Sequence, residues 1–150
     1  MSIEKDINQS KFRSEYQKAV INLIYTYNWL ANQHKPFFEK EGLTMQQFNI
    51  LRILRGSKEP LSTLQIRERM LDKMSDTSRI VDRLLIKGLV KKVVCKTDKR
   101  LVDVTITENG RKILAKLDKQ EEKMDSIVSS LTEAEAKQLS KLLDKLRKSE

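Results

Sequence analysis

Residues 96–112, KTDKRLVDVTITENGRK, join a polar, charged tip to a strict alternation of apolar residues. Val102, Val104 and Ile106 recur at every second position, which is the period of a strand that buries one face. An earlier run, LVKKVVC at 89–95, is also rich in β-branched residues. Two such runs around a short polar segment predict a β-hairpin. Because an isolated hairpin is only marginally stable, this one should pack on helices.

The chain before the hairpin has the pattern of helices. Apolar residues at spacings of three and four predict one long helix from Phe12 to about Phe38. Pro36 and then Gly42 should close it, the first by restricting the residue before it and the second as a left-handed cap.

Three short helices are predicted between this long helix and the hairpin. Capping-box patterns, in which a Thr or Ser is followed three residues later by Gln, begin the first two at Thr44 and Ser62. Ser75 is the candidate N-cap of the third helix, and Gly88 should end it.

The chain after the hairpin also has helical periodicity. Thr107 is a candidate cap for an amphipathic stretch that runs to Leu131, and Thr132 with Glu135 begins a last helix. The predicted fold class is therefore mainly α with a small β-hairpin.

The composition indicates one domain without a membrane segment. The 150 residues contain no apolar run long enough to span a membrane, and the first ten, MSIEKDINQS, lack the pattern of a signal peptide. We therefore expect a cytoplasmic protein. One cysteine, Cys95, and one histidine exclude an internal disulfide and offer no metal-ligand cluster, so neither a metal nor a cofactor is expected.

Positive charge is concentrated in the middle of the chain. The formal net charge is +9, and residues 61–100 carry eleven Lys and Arg against five Asp and Glu. A local field of this kind attracts a polyanion such as DNA. A solvated basic face is the alternative interpretation.

Two short helices joined by a tight turn and followed by a hairpin have the order of a winged helix-turn-helix. In that arrangement the second helix lies in the major groove of DNA and the hairpin, or wing, reaches along the backbone. Arg79 is the candidate for base readout, because an arginine can pair bidentately with guanine. Arg83 lies one turn further, and an ion pair with Asp82 or with an acid of another helix is its alternative. The candidate recognition residues are Ser75, Asp76, Thr77, Ser78, Arg79 and Arg83.

Contacts to the DNA backbone are predicted on both sides of this helix. Ser62 either donates to a phosphate or only caps its own helix, whereas Thr63 is freer to bind a phosphate. Lysines around the hairpin should attract the backbone, with a solvated face as the alternative; they are Lys87, Lys91, Lys92 and Lys96.

The order of one long helix, three short helices, a wing and two long helices resembles the MarR family of bacterial transcription regulators, over nearly the whole chain. The most specific element is the wing pattern D-x-R-x-x-x-V-x-[LI]-T-x-x-G, met here by Asp98, Arg100, Val104, Ile106, Thr107 and Gly110. The resemblance implies that Arg100 enters the DNA minor groove, and an exposed arginine suits that narrow, negative groove. Asp98 is interpreted as holding the arginine, with charge balance as the alternative. Lys96 and Lys99 complete the predicted wing site.

The resemblance also implies a homodimer whose long helices intertwine. Independently, the terminal helices carry more apolar surface than a small winged lobe could bury, although folding back over that lobe is the monomeric alternative. We expect one MarR-like domain over 1–150, a DNA-binding lobe at 44–106 and dimerisation regions at 10–40 and 107–148. Such a dimer would bind a pseudo-palindromic operator with half-sites about one turn apart, and we expect a repressor.

A small aromatic or phenolic effector is implied by the same resemblance. Tyr25, Trp29, Phe37 and Phe48 are the candidate pocket residues, with core packing as the alternative for each. Cys95 is expected to be unreactive, since nearby lysines would lower its pKa only weakly.

Two other classes of function compete with this interpretation. An enzyme is disfavoured because no nucleophile with its base, phosphate-binding loop or metal-ligand spacing is apparent. A winged-helix module that binds protein, or that binds DNA only architecturally, remains the alternative. The basic middle third and the pair Arg79 and Arg100 favour a DNA-binding regulator.

Overall fold

The computed structural model describes residues 2–98 and 100–148. The helices and strands follow in the order α1 (Ile3–Asp6), α2 (Glu15–Glu39), α3 (Met45–Gly56), α4 (Thr63–Arg69), α5 (Thr77–Ile86), β1 (Val90–Val94), β2 (Val102–Ile106), α6 (Glu108–Asp118), α7 (Glu121–Ser126) and α8 (Glu133–Arg147). The two strands pair antiparallel. This mainly helical fold with one hairpin confirms the predicted fold class.

The burial along the second strand of the hairpin follows the predicted alternation. Val90 pairs with Ile106 and Val94 with Val102. Val104 and Ile106 are buried, whereas Val102, closest to the tip, is half exposed. The strand is therefore held at its base and projects its tip into solvent.

The helix starts follow the capping signals closely. Thr44, Ser62 and Thr132 each accept a hydrogen bond from the backbone three residues on, and the side chain at that position bonds back to the cap. All three capping boxes are confirmed. Such caps satisfy backbone donors that the first helical turn leaves unpaired.

The end of α2 differs from the prediction. Pro36 lies inside the last turn of the helix, which continues to Glu39. The carbonyl that loses its partner there belongs to Asn32, which is exposed, so water can satisfy it. The stop comes at Gly42, whose φ of 69° is the left-handed region. There the N–H of Leu43 donates to the Phe38 carbonyl, as in a Schellman motif.

The predicted helix from Thr107 to Leu131 is interrupted. Helix α6 ends at Asp118. Gln120 then has φ −104° and ψ 0°, and its N–H donates to the Leu117 carbonyl. A bond over three residues tightens the chain and ends the α-helical ladder. The short α7 then starts at Glu121, and α1 is a further short helix that the periodicity does not predict.

The core lies where α3, α5 and α6 meet the hairpin. Its fully buried centre contains Ile50, Leu51, Ile66, Leu84 and Leu114. Just before α4, Leu61 forms an antiparallel bridge with Val104, with hydrogen bonds of 3.0 and 2.8 Å in the two directions. The wing is thereby joined by backbone bonds to the helices.

The junction between wing and α6 explains the Thr and Gly of the sequence pattern. Thr107 Oγ1 accepts from the Gly110 N–H at 3.2 Å and donates to the Gly88 carbonyl at 2.8 Å. A Cβ on Gly110 would overlap the Leu89 carbonyl oxygen and lie 2.7 Å from Ile106 Cγ1. Only glycine lets the first turn of α6 approach the hairpin this closely.

The outer helices present apolar side chains to solvent. On α2 these are Tyr16, Val20, Leu23, Ile24, Tyr25, Tyr27 and Trp29, and on α8 they are Leu139, Leu142 and Leu146. Among the helices described over 2–98 and 100–148, none combines the length and apolar character needed to cross a membrane.

Candidate nucleic-acid interface

The start of α5 lies one residue later than predicted. Asp76 is the N-cap, and its Oδ1 accepts from the Arg79 N–H at 3.1 Å. Ser75 instead belongs to the preceding turn, where its Oγ donates to the Asp72 carbonyl at 2.8 Å. The prediction of Ser75 as the cap is therefore wrong. Asp76 is the better cap because its carboxylate accepts a hydrogen bond from the third backbone N–H of the helix. It also adds negative charge at the positive end of the helix.

Thr77 is the second correction on this helix. The residue is only 3% exposed and packs inward, and its hydroxyl has no hydrogen-bond partner among the described residues. It therefore does not belong to the surface that could face DNA. Val81, four residues on, is also buried, so helical spacing places Thr77 on the same inner stripe.

The exposed face of α5 carries Ser78, Arg79 and Arg83. Because Arg79 and Arg83 are four residues apart, both lie on one face. Asp82, the alternative partner of Arg83, instead lies 3.5 Å from Lys92 Nζ on β1. Within the described chain Arg83 has no ion pair, so both guanidinium groups are available to an external anion.

The residues predicted to contact the DNA backbone differ in whether their side chains already have hydrogen-bond partners in the chain. Ser62 accepts its helix-capping bond from Gln65 N–H at 3.2 Å, and Thr63 follows it at the start of α4. Lys87 is engaged: its ammonium donates to the Gly42 carbonyl and, at 3.1 Å, to Gln47 Oε1. Lys87 thus ties the end of α5 to the end of α2, and its assignment to DNA is corrected to a structural one.

The wing tip holds one arginine in a defined place. Arg100 Nε and Nη2 donate to the two carboxylate oxygens of Asp98, at 3.2 and 3.4 Å, and the Arg100 N–H donates to Oδ1 at 3.0 Å. These bonds, first the backbone one and then the side-chain ones, hold the pKa of Asp98 below its ordinary value. The Arg100 side chain nevertheless remains 90% exposed. Asp98 therefore holds the backbone N–H and one edge of the guanidinium group of Arg100, and the rest of that group is open to solvent.

Two other wing residues were predicted to contact DNA. Lys96 Nζ lies 3.9 Å from Glu59 Oε2, and both side chains are exposed, so this pair is weak. Lys99 lies outside the described residues.

The candidate effector residues do not share one pocket. Phe48 lines a cleft of about 460 Å³ together with His34 and Phe38. Phe37 lines a second cleft, of about 440 Å³, between the end of α2 and the end of α6. Tyr25 and Trp29 lie on the exposed surface of α2 and line neither cleft. Within one copy of the chain the four residues therefore do not come together, because Tyr25 and Trp29 are exposed on α2 while Phe37 and Phe48 line different clefts.

Three cations that no sequence motif indicates lie at the end of α4 and in the turn before α5. Arg67, Arg69 and Lys73 are exposed there, and Arg67 Nε donates to the Lys73 carbonyl at 3.4 Å. The only sequence signal for them was the excess of positive charge in residues 61–100.

Comparisons with known proteins agree with this arrangement. A sequence model of the MarR family matches residues 41–101. The uncharacterized HTH-type transcriptional regulator YfiV of Bacillus subtilis is 35% identical over 74 residues; the match covers 49% of this chain and 46% of that protein, so the chain spans about half the length of this curated relative.

Solved structures extend the similarity to most of the chain. A MarR transcription factor from Planctomyces limnophilus is 30% identical with a TM-score of 0.66, and the match covers 89% of this chain and 98% of that one. A mutant MarR from E. coli complexed with operator DNA has a TM-score of 0.80 at 21% identity, covering 93% and 100%. The lobe formed by α3 to β2, its exposed arginines and these similarities lead to one conclusion: the chain belongs to the MarR family of winged helix-turn-helix transcription regulators.

Proposed function

We propose that this protein binds a specific double-stranded DNA sequence as a homodimer and represses transcription from it. The observation that carries the proposal is the joint position of Arg79, Arg83 and Arg100 on one lobe. The first two are exposed on α5 and the third is exposed at the wing tip, while backbone bonds join wing and helices. A lobe of this form can place α5 in a major groove and Arg100 in the adjacent minor groove.

The roles of the charged groups follow from their surroundings. Arg79 and Arg83 lack ion pairs within the described chain, so binding DNA breaks no internal interaction. Asp98 would repel phosphate by itself, but it is bonded to Arg100 on both oxygens. The surrounding lysines supply attraction that depends on salt and not on sequence.

Dimerisation is supported by the apolar surface of the outer helices. Tyr16 is 86% exposed on α2, and Leu146 is 63% exposed on α8. Apolar stripes on two helices need a covering surface, and a second copy supplies one with two-fold symmetry. Two lobes related in this way would bind a pseudo-palindrome. Residues 10–40 and 107–148 would form the dimer base, and 44–106 the lobe.

Selection of fragments from a random double-stranded library, at a fixed salt concentration, tests the proposal. We expect an enriched motif with two-fold symmetry. Arg100→Ala should then weaken binding to that motif about tenfold, since one good groove contact contributes about 1–3 kcal/mol. Lys5→Ala, which removes one positive charge from an exposed residue outside both the lobe and the proposed dimer base, is the matched control and should bind as wild type. No enriched motif, or equal affinities of all three proteins, would contradict the proposal.

A small aromatic effector is proposed for the cleft at Phe48. The Phe38 and Phe48 rings stack there with centroids 4.6 Å apart, and the cleft is large enough for a single-ring compound. Release of the selected DNA by one member of a panel of phenols and aromatic acids, and its loss in Phe48→Ala, are the expected results. If no member of the panel releases DNA, the regulator works without an effector of this class.

A further inference from the structure

The turn between α4 and α5, residues 70–76, is held mostly by local hydrogen bonds. Met74 N–H donates to Asp72 Oδ1 at 3.1 Å, and Ser75 Oγ donates to the Asp72 carbonyl. One bond comes from far along the chain: Asn49 Oδ1, on α3, accepts the Leu71 N–H at 2.9 Å. This bond joins the turn to the helix at the centre of the core.

The two ends of this bond differ sharply in how firmly they are held. Asn49 precedes Ile50, which is fully buried, so its backbone is fixed by packing. Leu71 follows Met70, the buried C-cap of α4, but its own side chain is 87% exposed. The turn side chain Met74 is also exposed, at 91%. Between the buried Met70 and the buried Thr77, packing therefore does little to fix the turn, and the backbone N–H of Leu71 links this segment to α3.

Core packing of Thr77 and Val81 fixes the buried side of α5, whereas the turn leads directly into its exposed N-terminal side. Asp76, the N-cap of α5, lies only five residues after Leu71, and Arg79 begins the exposed face one turn later. A displacement of the turn therefore moves the first turn of α5, where base contacts would be made. Base readout depends on hydrogen-bond geometry to within fractions of an ångström, whereas attraction to phosphate does not.

We infer that Asn49 is a positioning residue for DNA recognition, which acts by holding the turn before α5 and without touching DNA itself. The inference rests on the proposed function. Asn49 and Leu71 both line the cleft of about 460 Å³ beside Phe48. A molecule in that cleft would therefore contact the same amide that fixes the recognition helix.

The effect of losing this bond should fall on specificity more than on folding. Because the Leu71 N–H lies near the surface, water can replace the Asn49 oxygen once it is removed. The free energy of unfolding should then change little, while the turn gains freedom. Binding to the selected sequence should weaken, and binding to random DNA should stay the same because it depends on phosphate attraction.

Three variants separate positioning from simple structural damage. Asn49→Ala removes the acceptor, Asn49→Asp keeps an oxygen at the same place, and Gln46→Ala is the matched control on the same helix, also partly buried. For each we would measure affinity for the selected sequence and for random duplex over a range of salt concentrations, the melting temperature, and hydrogen exchange at the Leu71 amide.

We expect Asn49→Ala to weaken specific binding about tenfold, as the loss of one base contact by the displaced first turn of α5 would. Its affinity for random duplex should stay within about twofold of wild type, and exchange at Leu71 should accelerate. Asn49→Asp should keep slow exchange and most of the ratio of specific to non-specific affinity, and Gln46→Ala should match wild type throughout.

Two outcomes would overturn the inference while leaving the proposed function intact. One is wild-type specific affinity in Asn49→Ala although Leu71 exchanges faster; the other is an equal loss in specific and random binding. If wild-type protein selected no sequence, the proposed function itself would fail, and the exchange data would still report whether Asn49 holds the turn.

Discussion

Gly110→Ala should destabilise the protein, although alanine is the better helix former. The new Cβ would overlap the Leu89 carbonyl oxygen and lie 2.7 and 3.2 Å from two carbons of Ile106. The Leu89 carbonyl cannot withdraw freely, because it accepts the Thr107 N–H at 3.0 Å. Overpacking typically costs about 1–3 kcal/mol, and a rigid backbone neighbour places this case near the upper limit. After subtracting the helical advantage of alanine, about 1 kcal/mol, the net loss is about 2 kcal/mol.

Gly56→Ala is the matched control for this substitution. Nothing lies within 4 Å of a Cβ built on Gly56, which is also helical, so alanine there should be neutral or slightly stabilising. Urea and thermal unfolding at one fixed protein concentration measure both, because the stability of the proposed dimer depends on concentration. Gly110→Ala should melt roughly 4–8 °C below wild type. If the two variants were equally stable, the close approach of α6 to the hairpin would not be a constraint on this position.

Three further predictions concern the recognition helix, the α6 cap and the wing. Arg79→Ala should relax the preference at one base position of the selected motif by about 1–3 kcal/mol and leave the others, which a repeated selection would show; unchanged preference everywhere would remove Arg79 from base readout. Thr107→Ala should cost about 1 kcal/mol of stability in urea unfolding, because it removes a cap and the bond to the Gly88 carbonyl; a change below the experimental error would mean that water replaces both. Since the pKa of Asp98 is lowered, its hold on Arg100 should be complete above the ordinary Asp range and lost only as the pH falls through the lower value. Carboxyl NMR should show that pKa rising in Arg100→Ala, though not fully, because the backbone N–H of residue 100 remains; no rise would mean that the guanidinium contributes nothing.

Features that depend on neighbouring residues could be predicted from the sequence. The capping boxes at Thr44, Ser62 and Thr132 involve only four consecutive residues, and the left-handed ends at Gly42 and Gly88 need only the absence of a Cβ. Alternating β-branched residues likewise located the hairpin. In each case the residues that give the signal are the same residues that form the cap, the helix end or the strand.

Features that depend on contacts between distant residues could not be predicted in this way. Lys87 reaches Gly42 across 45 residues, which no local pattern shows. The break between α6 and α7 does not interrupt the apolar spacing, so periodicity alone continued the helix through Gln120. Thr77 is a different case. Its spacing of four residues from Val81 predicts burial, but its polar hydroxyl favoured a place on the exposed face.

The bridge between Leu61 and Val104 has a consequence for how the lobe measures DNA. Two backbone hydrogen bonds fasten the base of the wing to the segment that enters α4, and they limit how far Arg100 at the tip can move from the exposed face of α5. Each base pair inserted between the two grooves adds about 3.4 Å and rotates the duplex. A lobe whose two contacts are held at a limited separation therefore selects the distance between the two grooves. It would reject a site with every correct base in the wrong phase, and so distinguish operators by spacing as well as by composition.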